Sequence, residues 1–158
     1  MLKYRAITLR NFKDLPQVQE YLTEDQIRAI EVVGNVLPFK ANNYVIDELI
    51  DWTKVPYDPL FQLTFPQKEM LSEEHYNIVD EALNKDLSKD ELKSIVNEIR
   101  YQLNPHPAGQ QEKNVPEVNG EKLTGVQHKY RETALFFPSS GQTCHAYCTF
   151  CFRWPQFV

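Results

Sequence analysis

Cysteine is missing from the first 143 residues of this sequence, and all three cysteines lie close together near its end, at Cys144, Cys148 and Cys151. An odd number of cysteines cannot be paired completely into disulfides, and disulfides are rare in the reducing cytoplasm. The first residues, MLKYRAITLRNFKDL, lack the apolar stretch of a secretory signal. The sequence therefore predicts a cytoplasmic protein with reduced thiols.

Two further absences narrow the range of functions. No apolar run approaches the roughly 20 residues that a membrane-spanning helix needs, so a membrane is not an expected partner. A basic surplus is also missing, because 17 Lys and Arg residues face 22 Asp and Glu residues and give a net charge of -5. Nucleic-acid-binding domains usually carry a basic excess, so nucleic acid is not expected as the main partner. At 158 residues the chain is long enough for one domain with its own core.

Helix signals dominate the first 104 residues. Three pairs have the spacing of a capping box, in which two side chains satisfy amide groups at the start of a helix: Asp14 with Gln17, Thr23 with Gln26, and Ser88 with Glu91. After Ser88, apolar residues recur at helical intervals until Asn104-Pro105 ends the run: Leu92, Ile95, Val96, Ile99 and Leu103.

Two other helices are expected before that one. The first covers about residues 43 to 52, and the second follows Ser72 with Ile78, Val79 and Ala82 facing the core. Between them the segment VPYDPLFQLTFP, residues 55 to 66, contains three prolines and four large apolar side chains. We interpret this segment as an extended connection that lies on an apolar surface.

Residues 105 to 122 interrupt the helical pattern. Three prolines, two glycines and many polar residues favour a surface linker or long loop, in which His106 is expected to be exposed to solvent. Beyond it, the apolar run from Thr133 to Phe137 predicts a short buried strand of a parallel sheet, and Pro138 to Gly141 then turn the chain. The cysteines follow the C-terminal end of this strand, where α/β enzymes place their chemistry.

Four chemistries compete for a Cys-x3-Cys-x2-Cys motif. A disulfide between two of the cysteines would leave the third unpaired. Structural zinc normally takes four ligands in two separated pairs, and recruiting His145 beside Cys144 would strain the geometry. A catalytic thiol uses one cysteine and leaves two unexplained. A [4Fe–4S] cluster ordinarily takes one thiolate per iron, so three cysteines would leave one iron open to a small molecule. The cluster is the favoured interpretation, and zinc is the main alternative.

The segment CHAYCTFC, residues 144 to 151, has an aromatic residue directly before its last cysteine and resembles the cluster motif of the radical S-adenosylmethionine superfamily. The segments GVQHKYRETALFFPS before it, CFRW after it and IDWTKVPYDPL upstream are similar to the lysine 2,3-aminomutase family. This resemblance extends over about residues 37 to 158. It implies that residues 123–158 are the first strand and cluster loop of a partial (β/α) barrel. Together with the residue patterns described above, this predicts an α/β fold in three parts: a helical region over residues 1–104, the linker over 105–122, and the start of the barrel over 123–158.

The resemblance implies an isomerase that moves the amino group of a lysine-like amino acid to the neighbouring carbon. Its cofactors would be a [4Fe–4S] cluster, S-adenosylmethionine and pyridoxal phosphate, and its electron donor a flavodoxin or ferredoxin. The reduced cluster would cleave S-adenosylmethionine, and the 5′-deoxyadenosyl radical so formed would abstract a hydrogen atom from the amino acid held on pyridoxal phosphate. A homo-oligomer is a further expectation for the complete enzyme.

The resemblance also assigns roles to residues of the motif. Cys144, Cys148 and Cys151 correspond to the cluster ligands. Phe150 corresponds to the aromatic residue beside the adenine of S-adenosylmethionine, with packing under the cluster as an alternative role.

Two further residues are assigned in the same way. Arg153 corresponds to an arginine that pairs with the substrate carboxylate, and a solvent-exposed arginine is the alternative. The stretch His128-Lys129-Tyr130 is similar to the His-Arg-Tyr stretch that lies near pyridoxal phosphate in the family, which makes Tyr130 a candidate for cofactor binding. Lysine in place of arginine keeps the charge but loses the planar fork that binds phosphate.

The length of the chain leads to one more expectation. A (β/α)8 barrel needs about 250 residues, and the resemblance implies that the lysine that binds pyridoxal phosphate lies downstream of Val158. We therefore expect the N-terminal portion of a longer enzyme, inactive by itself. The alternative is a non-catalytic metal-binding or interaction module that has kept the helical region and lost the barrel.

Overall fold

The computed structural model describes residues 4–85, 87–103, 115–123, 125–136 and 146–147. The α-helices of this part of the chain are α1 (Pro16–Tyr21), α2 (Glu24–Val36), α3 (Pro59–Thr64), α4 (Glu73–Asn84) and α5 (Lys89–Leu103). Short helical turns lie at Phe12–Asp14, Val45–Leu49, Trp52–Lys54 and Lys68–Met70. The strands are β1 (Ala6–Ile7), β2 (Ala41–Asn42), β3 (Glu117–Val118), β4 (Glu121–Lys122), β5 (Val126–Tyr130) and β6 (Thr133–Phe136).

The described strands pair as three separate two-stranded antiparallel sheets, β1 with β2, β3 with β4, and β5 with β6. The predicted mixture of helices and strands is confirmed at this coarse level. Within the described residues the strands do not close into a barrel.

The predicted strand after residue 132 exists, but the prediction that it is buried and parallel is wrong. β6 runs antiparallel to β5, with Val126 opposite Phe136, and Phe136 is 73% exposed. Only Arg131 and Glu132 separate the two strands. So short a connection permits only an antiparallel pair, because a parallel pair needs a crossover of a dozen or more residues.

Two of the three predicted capping boxes are present. The Thr23 hydroxyl accepts the backbone N–H of Gln26, and the Gln26 side chain accepts the backbone N–H of Thr23. Ser88 and Glu91 make the same reciprocal pair. The helices α2 and α5 accordingly begin directly after Thr23 and Ser88.

The third predicted capping box, at Asp14 and Gln17, does not form. The helix α1 begins at Pro16, and the residue at its N-cap position is Leu15, which makes no side-chain capping bond. Proline suits the first position of a helix because its φ angle is already helical and its missing N–H needs no partner there. Asp14 belongs instead to the preceding helical turn.

The inward face of α4 differs from the prediction at one position. This helix follows Ser72, whose hydroxyl accepts the backbone N–H of His75. Val79 and Ala82 are buried as predicted, but Ile78 is exposed and Tyr76 is buried in its place.

The segment from residue 55 to 66 is not the extended connection that its prolines indicated, because it contains α3. The Asp58 side chain accepts the backbone N–H of Phe61 at 2.8 Å and so caps the helix, while Pro59 occupies its first position. Asp58 itself is buried, and Phe61 and Phe65 point into the core.

The helix predicted over about residues 43 to 52 is interrupted. Helical backbone extends from residue 43 to residue 49, and Ile50 and Asp51 then take extended conformations before the turn Trp52–Lys54. The indole N–H of Trp52 donates to the carbonyl oxygen of Ile46 at 2.8 Å and joins the two pieces.

The predicted linker holds a small hairpin. The strands β3 and β4 are connected by Asn119 and Gly120, both with positive φ angles, 54° and 83°. Asn-Gly is the preferred pair for a tight hairpin turn of this kind. His106 lies outside the described residues, so its predicted exposure stays a prediction.

Helix α2 lies between two apolar cores and contributes to both. The first core joins it to the N-terminal segment and to α3, and includes Ile30, Phe39, Trp52, Phe61 and Phe65. The second joins it to α4 and α5, and includes Val32, Val33, Val36, Val79 and Ile99. The described helices include none that is long and apolar enough to cross a membrane.

Candidate functional site

Most residues predicted to carry chemistry lie outside the described residues: Cys144, Cys148, Cys151, Phe150 and Arg153. Tyr130 ends β5, where its backbone lies opposite that of Thr133. Only the backbone of Tyr130 belongs to the described part of the chain. The arrangement of the predicted metal ligands, and of Phe150 and Arg153, therefore stays a prediction.

Two residues inside the cysteine motif are described, Ala146 and Tyr147, and both are half-buried. The backbone N–H of Tyr147 donates to the carbonyl oxygen of Leu63 at 2.8 Å. Its phenol O–H donates to the carbonyl oxygen of Pro38 at 2.9 Å. The motif is therefore attached to the helical region through the residue that directly precedes Cys148.

The Leu63 carbonyl is available because its usual helical partners are not. A helix leaves its last four carbonyl groups without an intrahelical hydrogen bond, and Leu63 lies in the last turn of α3. The residue three positions on is Pro66, which has no N–H. The residue four positions on is Gln67, whose N–H points to the Met70 sulfur instead. Tyr147 supplies a donor that the helix itself cannot provide.

The Pro38 carbonyl lies just beyond the C-terminal end of α2. Arg100 of α5 binds the end of this helix as well. The Arg100 guanidinium donates to the carbonyl oxygens of Val36 at 2.7 Å and Asn35 at 3.2 Å. A cation is favourable at a helix C-terminus, where the carbonyl groups carry partial negative charge. Burial lowers the pKa of Arg100, but an arginine keeps its charge in proteins. Arg100 binds two of the last carbonyls of α2, and Tyr147 binds the Pro38 carbonyl two residues beyond the end of this helix.

An aromatic cluster holds both acceptor carbonyls in place. Pro38 precedes the buried Phe39, and Leu63 lies between the buried Phe61 and Phe65. The rings of Phe39 and Phe65 are 5.1 Å apart between centroids, and those of Phe61 and Phe65 stack at 4.8 Å. Side chains packed this closely have little freedom to shift, so the two acceptor carbonyls that Tyr147 uses lie on a rigid base.

The residues similar to the family's pyridoxal phosphate stretch lie on a different element. His128 is exposed on β5, and one of its ring nitrogens lies 3.4 Å from the carbonyl oxygen of Arg131 in the turn to β6. This contact stays within the hairpin.

A cleft of about 500 Å³ is lined by residues of α2 and α3 and of the segments on either side of α3. Its lining combines apolar residues such as Ala29, Ile30 and Phe61 with charged residues such as Asp25 and Lys68. Among the described residues, no group of three His, Cys, Asp or Glu side chains is placed to hold a metal ion. The metal-binding prediction thus depends on the three cysteines.

Sequence reasoning missed Tyr147, because it assigned roles within the motif only to the cysteines, His145 and Phe150. The acceptors of Tyr147 are far away in the sequence, Pro38 by 109 positions. A local pattern cannot reveal such a contact. The one available signal was the unusual placement of Pro66, which deprives Leu63 of a helical partner and marks its carbonyl as an acceptor in need of a donor.

No family model, no curated protein and no solved structure matches this chain.

Proposed function

We propose that this chain carries the cluster-binding region of a radical S-adenosylmethionine enzyme similar to lysine 2,3-aminomutase. The observation that carries the proposal is the segment CHAYCTFC, with three cysteines at the spacing of the superfamily and an aromatic residue before the last one. In finer detail, the loop that carries the three cysteines would be the cluster loop of a partial (β/α) barrel that follows the helical region, with the antiparallel β5–β6 hairpin preceding this loop.

The donor set fits an iron–sulfur cluster. Three thiolates are soft ligands of the kind that such clusters take, and a cluster held by three leaves one iron for S-adenosylmethionine. The attachment of Tyr147 to the helical region supports the proposal, because ligands of a metal centre need a fixed base. When bound, the cluster, S-adenosylmethionine and pyridoxal phosphate would supply the electron transfer and radical chemistry.

The chain's own residues would bind and orient these groups. Cys144, Cys148 and Cys151 would hold the cluster, and Phe150 would contact the adenine. The complete enzyme would act in the cytoplasm on a lysine-like amino acid, with flavodoxin or ferredoxin as electron donor, and would assemble as a homo-oligomer.

Substrate and pyridoxal phosphate would engage two other residues. Arg153 would pair with the carboxylate of the amino acid through two parallel hydrogen bonds. Tyr130 would lie near pyridoxal phosphate.

Anaerobic reconstitution with iron and sulfide tests the proposal. We expect about four irons and four sulfides per chain and a brown cluster absorption. Replacement of Cys144, Cys148 or Cys151 by alanine should abolish the absorption. Reductive cleavage of S-adenosylmethionine is then measured on the protein made from its complete reading frame.

His145→Ala is the matched control. His145 lies inside the motif, and its removal distinguishes an iron–sulfur cluster from a zinc site. A cluster held by three cysteines should survive this change. A zinc site that recruits His145 as its fourth ligand should lose the metal. Stoichiometric zinc with no iron–sulfur cluster would reject the proposal and favour a non-catalytic metal-binding module.

A further inference from the structure

We propose that Tyr147 is a positioning residue that fixes the cysteine motif on the ends of α2 and α3, so that the helical region determines where the cluster lies. This inference rests on the proposed function, since it concerns the same motif. It adds a role for a residue that is not itself a metal ligand.

The geometry supports positioning because Tyr147 is held at two points of different kinds. Its backbone N–H binds the Leu63 carbonyl, and its side-chain O–H binds the Pro38 carbonyl. The first bond places the main chain, and the second fixes the direction of the side chain. One bond alone would leave the residue free to rotate about it.

The position of Tyr147 in the motif gives the contact its consequence. Cys148 follows it directly, and only His145 and Ala146 separate it from Cys144. Because consecutive Cα atoms are about 3.8 Å apart across a trans peptide bond, anchoring one residue restricts the position of the next. The carbonyls of Leu63 and Pro38, which bind Tyr147, would therefore restrict the position of a cluster held by this motif.

The two acceptor carbonyls belong to a base that does not depend on the cluster. Both lie beside the aromatic residues Phe39, Phe61 and Phe65 in the first core. We therefore expect Tyr147 to be docked in the metal-free protein as well. Its docking can then be measured without iron present.

The test compares Tyr147→Phe with Tyr101→Phe. Tyr147→Phe keeps the ring and removes the hydrogen bond to Pro38. Tyr101 is 68% exposed on α5, so Tyr101→Phe controls for the loss of a phenol elsewhere. In the metal-free protein, the backbone amide of Tyr147 should exchange with deuterium about five-fold faster in Tyr147→Phe, as expected for the loss of one hydrogen bond, and at the wild-type rate in Tyr101→Phe.

In the reconstituted protein, iron should be lost to a chelator about five-fold faster from Tyr147→Phe than from wild type or Tyr101→Phe. The electron paramagnetic resonance spectrum of the reduced cluster gives a reading that a purely structural role would not change. Added S-adenosylmethionine should shift this spectrum fully in wild type and incompletely in Tyr147→Phe. The urea midpoint of each variant shows whether the fold is intact.

The outcomes separate the two proposals. A wild-type protein that binds no cluster would reject the proposed function, and the docking would still be judged by amide exchange in the metal-free protein. A wild-type cluster together with wild-type iron release and spectrum in Tyr147→Phe would overturn the positioning role. Faster amide exchange without a change in iron release would also overturn it, because the contact would then hold the chain but not the cluster.

Discussion

At the scale of single residues, helix ends in this protein are satisfied in two ways. Thr23, Ser72 and Ser88 cap the helices that follow them through local hydrogen bonds. Arg100 and Tyr147 reach helix ends from distant parts of the chain. The local caps fix where helices begin, and the distant donors fix how segments are held together.

Ser88→Ala should raise the pKa of the Glu91 carboxyl. Hydrogen bonds from the Ser88 hydroxyl and backbone N–H lower this pKa from its ordinary value in the wild type. A carboxyl whose pKa is lowered by folding stabilises the folded state above its unfolded pKa, and that contribution is lost as the pH falls through the folded pKa. Nuclear magnetic resonance titration of Glu91 measures the change. Ser72→Ala, at the start of α4, should leave the Glu91 pKa unaltered, and an equal pKa in wild type and Ser88→Ala would contradict the assignment.

Arg100→Met should reduce the free energy of unfolding by about 1–3 kcal/mol, because it leaves the carbonyls of Asn35 and Val36 without their donor. Urea unfolding provides the measurement. Lys93→Met is the matched control, since Lys93 is exposed on the same helix, and its effect should stay within about 0.5 kcal/mol. Equal effects of the two changes would show that the guanidinium contacts contribute nothing to stability.

At the scale of elements, the short helix α3 links the core to the motif. Its first turn is capped by the buried Asp58, and its last turn offers the Leu63 carbonyl to Tyr147. The second carboxylate oxygen of Asp58 also accepts the backbone N–H of Asp51 at 3.3 Å. This side chain therefore joins α3 to the turn before it.

Asp58→Ala should lower the free energy of unfolding by about 1–2 kcal/mol, the usual cost of losing a helix cap. Asp58→Asn keeps an oxygen that can accept the Phe61 N–H, so it should lose clearly less. Urea unfolding of both variants and of Asp90→Ala, an exposed position in the first turn of α5, tests the difference. A larger loss for Asp58→Asn than for Asp58→Ala would argue against the capping role.

The elements that could be predicted are those whose sequence patterns lie within the element itself. The helices α2 and α5 were both indicated by capping pairs within their own sequences, and α5 was also indicated by its regular apolar spacing. The helix α3 was missed because three prolines outweighed the Asp-Pro pair that starts it. The hairpin of β3 and β4 was missed because Asn119 and Gly120 were counted as linker composition, although that pair is a strong turn signal.

At the scale of the whole molecule, the helical region and the β5–β6 hairpin differ in how much of their surface is covered. The helices α2, α4 and α5 bury residues such as Val33, Val79 and Ile99 in one core. In β6 most side chains are exposed. An isolated two-stranded hairpin is marginally stable in water.

Hydrogen exchange should therefore show much stronger protection in α2, α4 and α5 than in β5 and β6. Amides of buried helices exchange through large openings, while those of exposed hairpins exchange through local fraying. Exchange measured residue by residue on the metal-free protein checks this expectation. Hairpin amides as slow as those of α2 would contradict it.

What the sequence predicts of the candidate site is its chemistry, and this stays a prediction because the cysteines lie outside the described residues. Three cysteines at a fixed spacing limit which metals the proposed site could hold, because thiolates select few metals. The support beneath the motif could not be predicted, since the contacts of Tyr147 with Pro38 and Leu63 depend on the path of the chain through the aromatic cluster. The residue types of the motif indicate which ligands it could bind, whereas the position of the motif depends on tertiary contacts.

The two-sided burial of α2 has a consequence for how the protein denatures. Ile30 on one side belongs to the first core and Val33 on the other to the second, so releasing this helix exposes both cores at once. We therefore expect the two cores to unfold together rather than one after the other. The near-ultraviolet signal of the aromatic residues in the first core and the far-ultraviolet signal of the helices should therefore disappear at one common urea concentration, with separated midpoints as the contrary result.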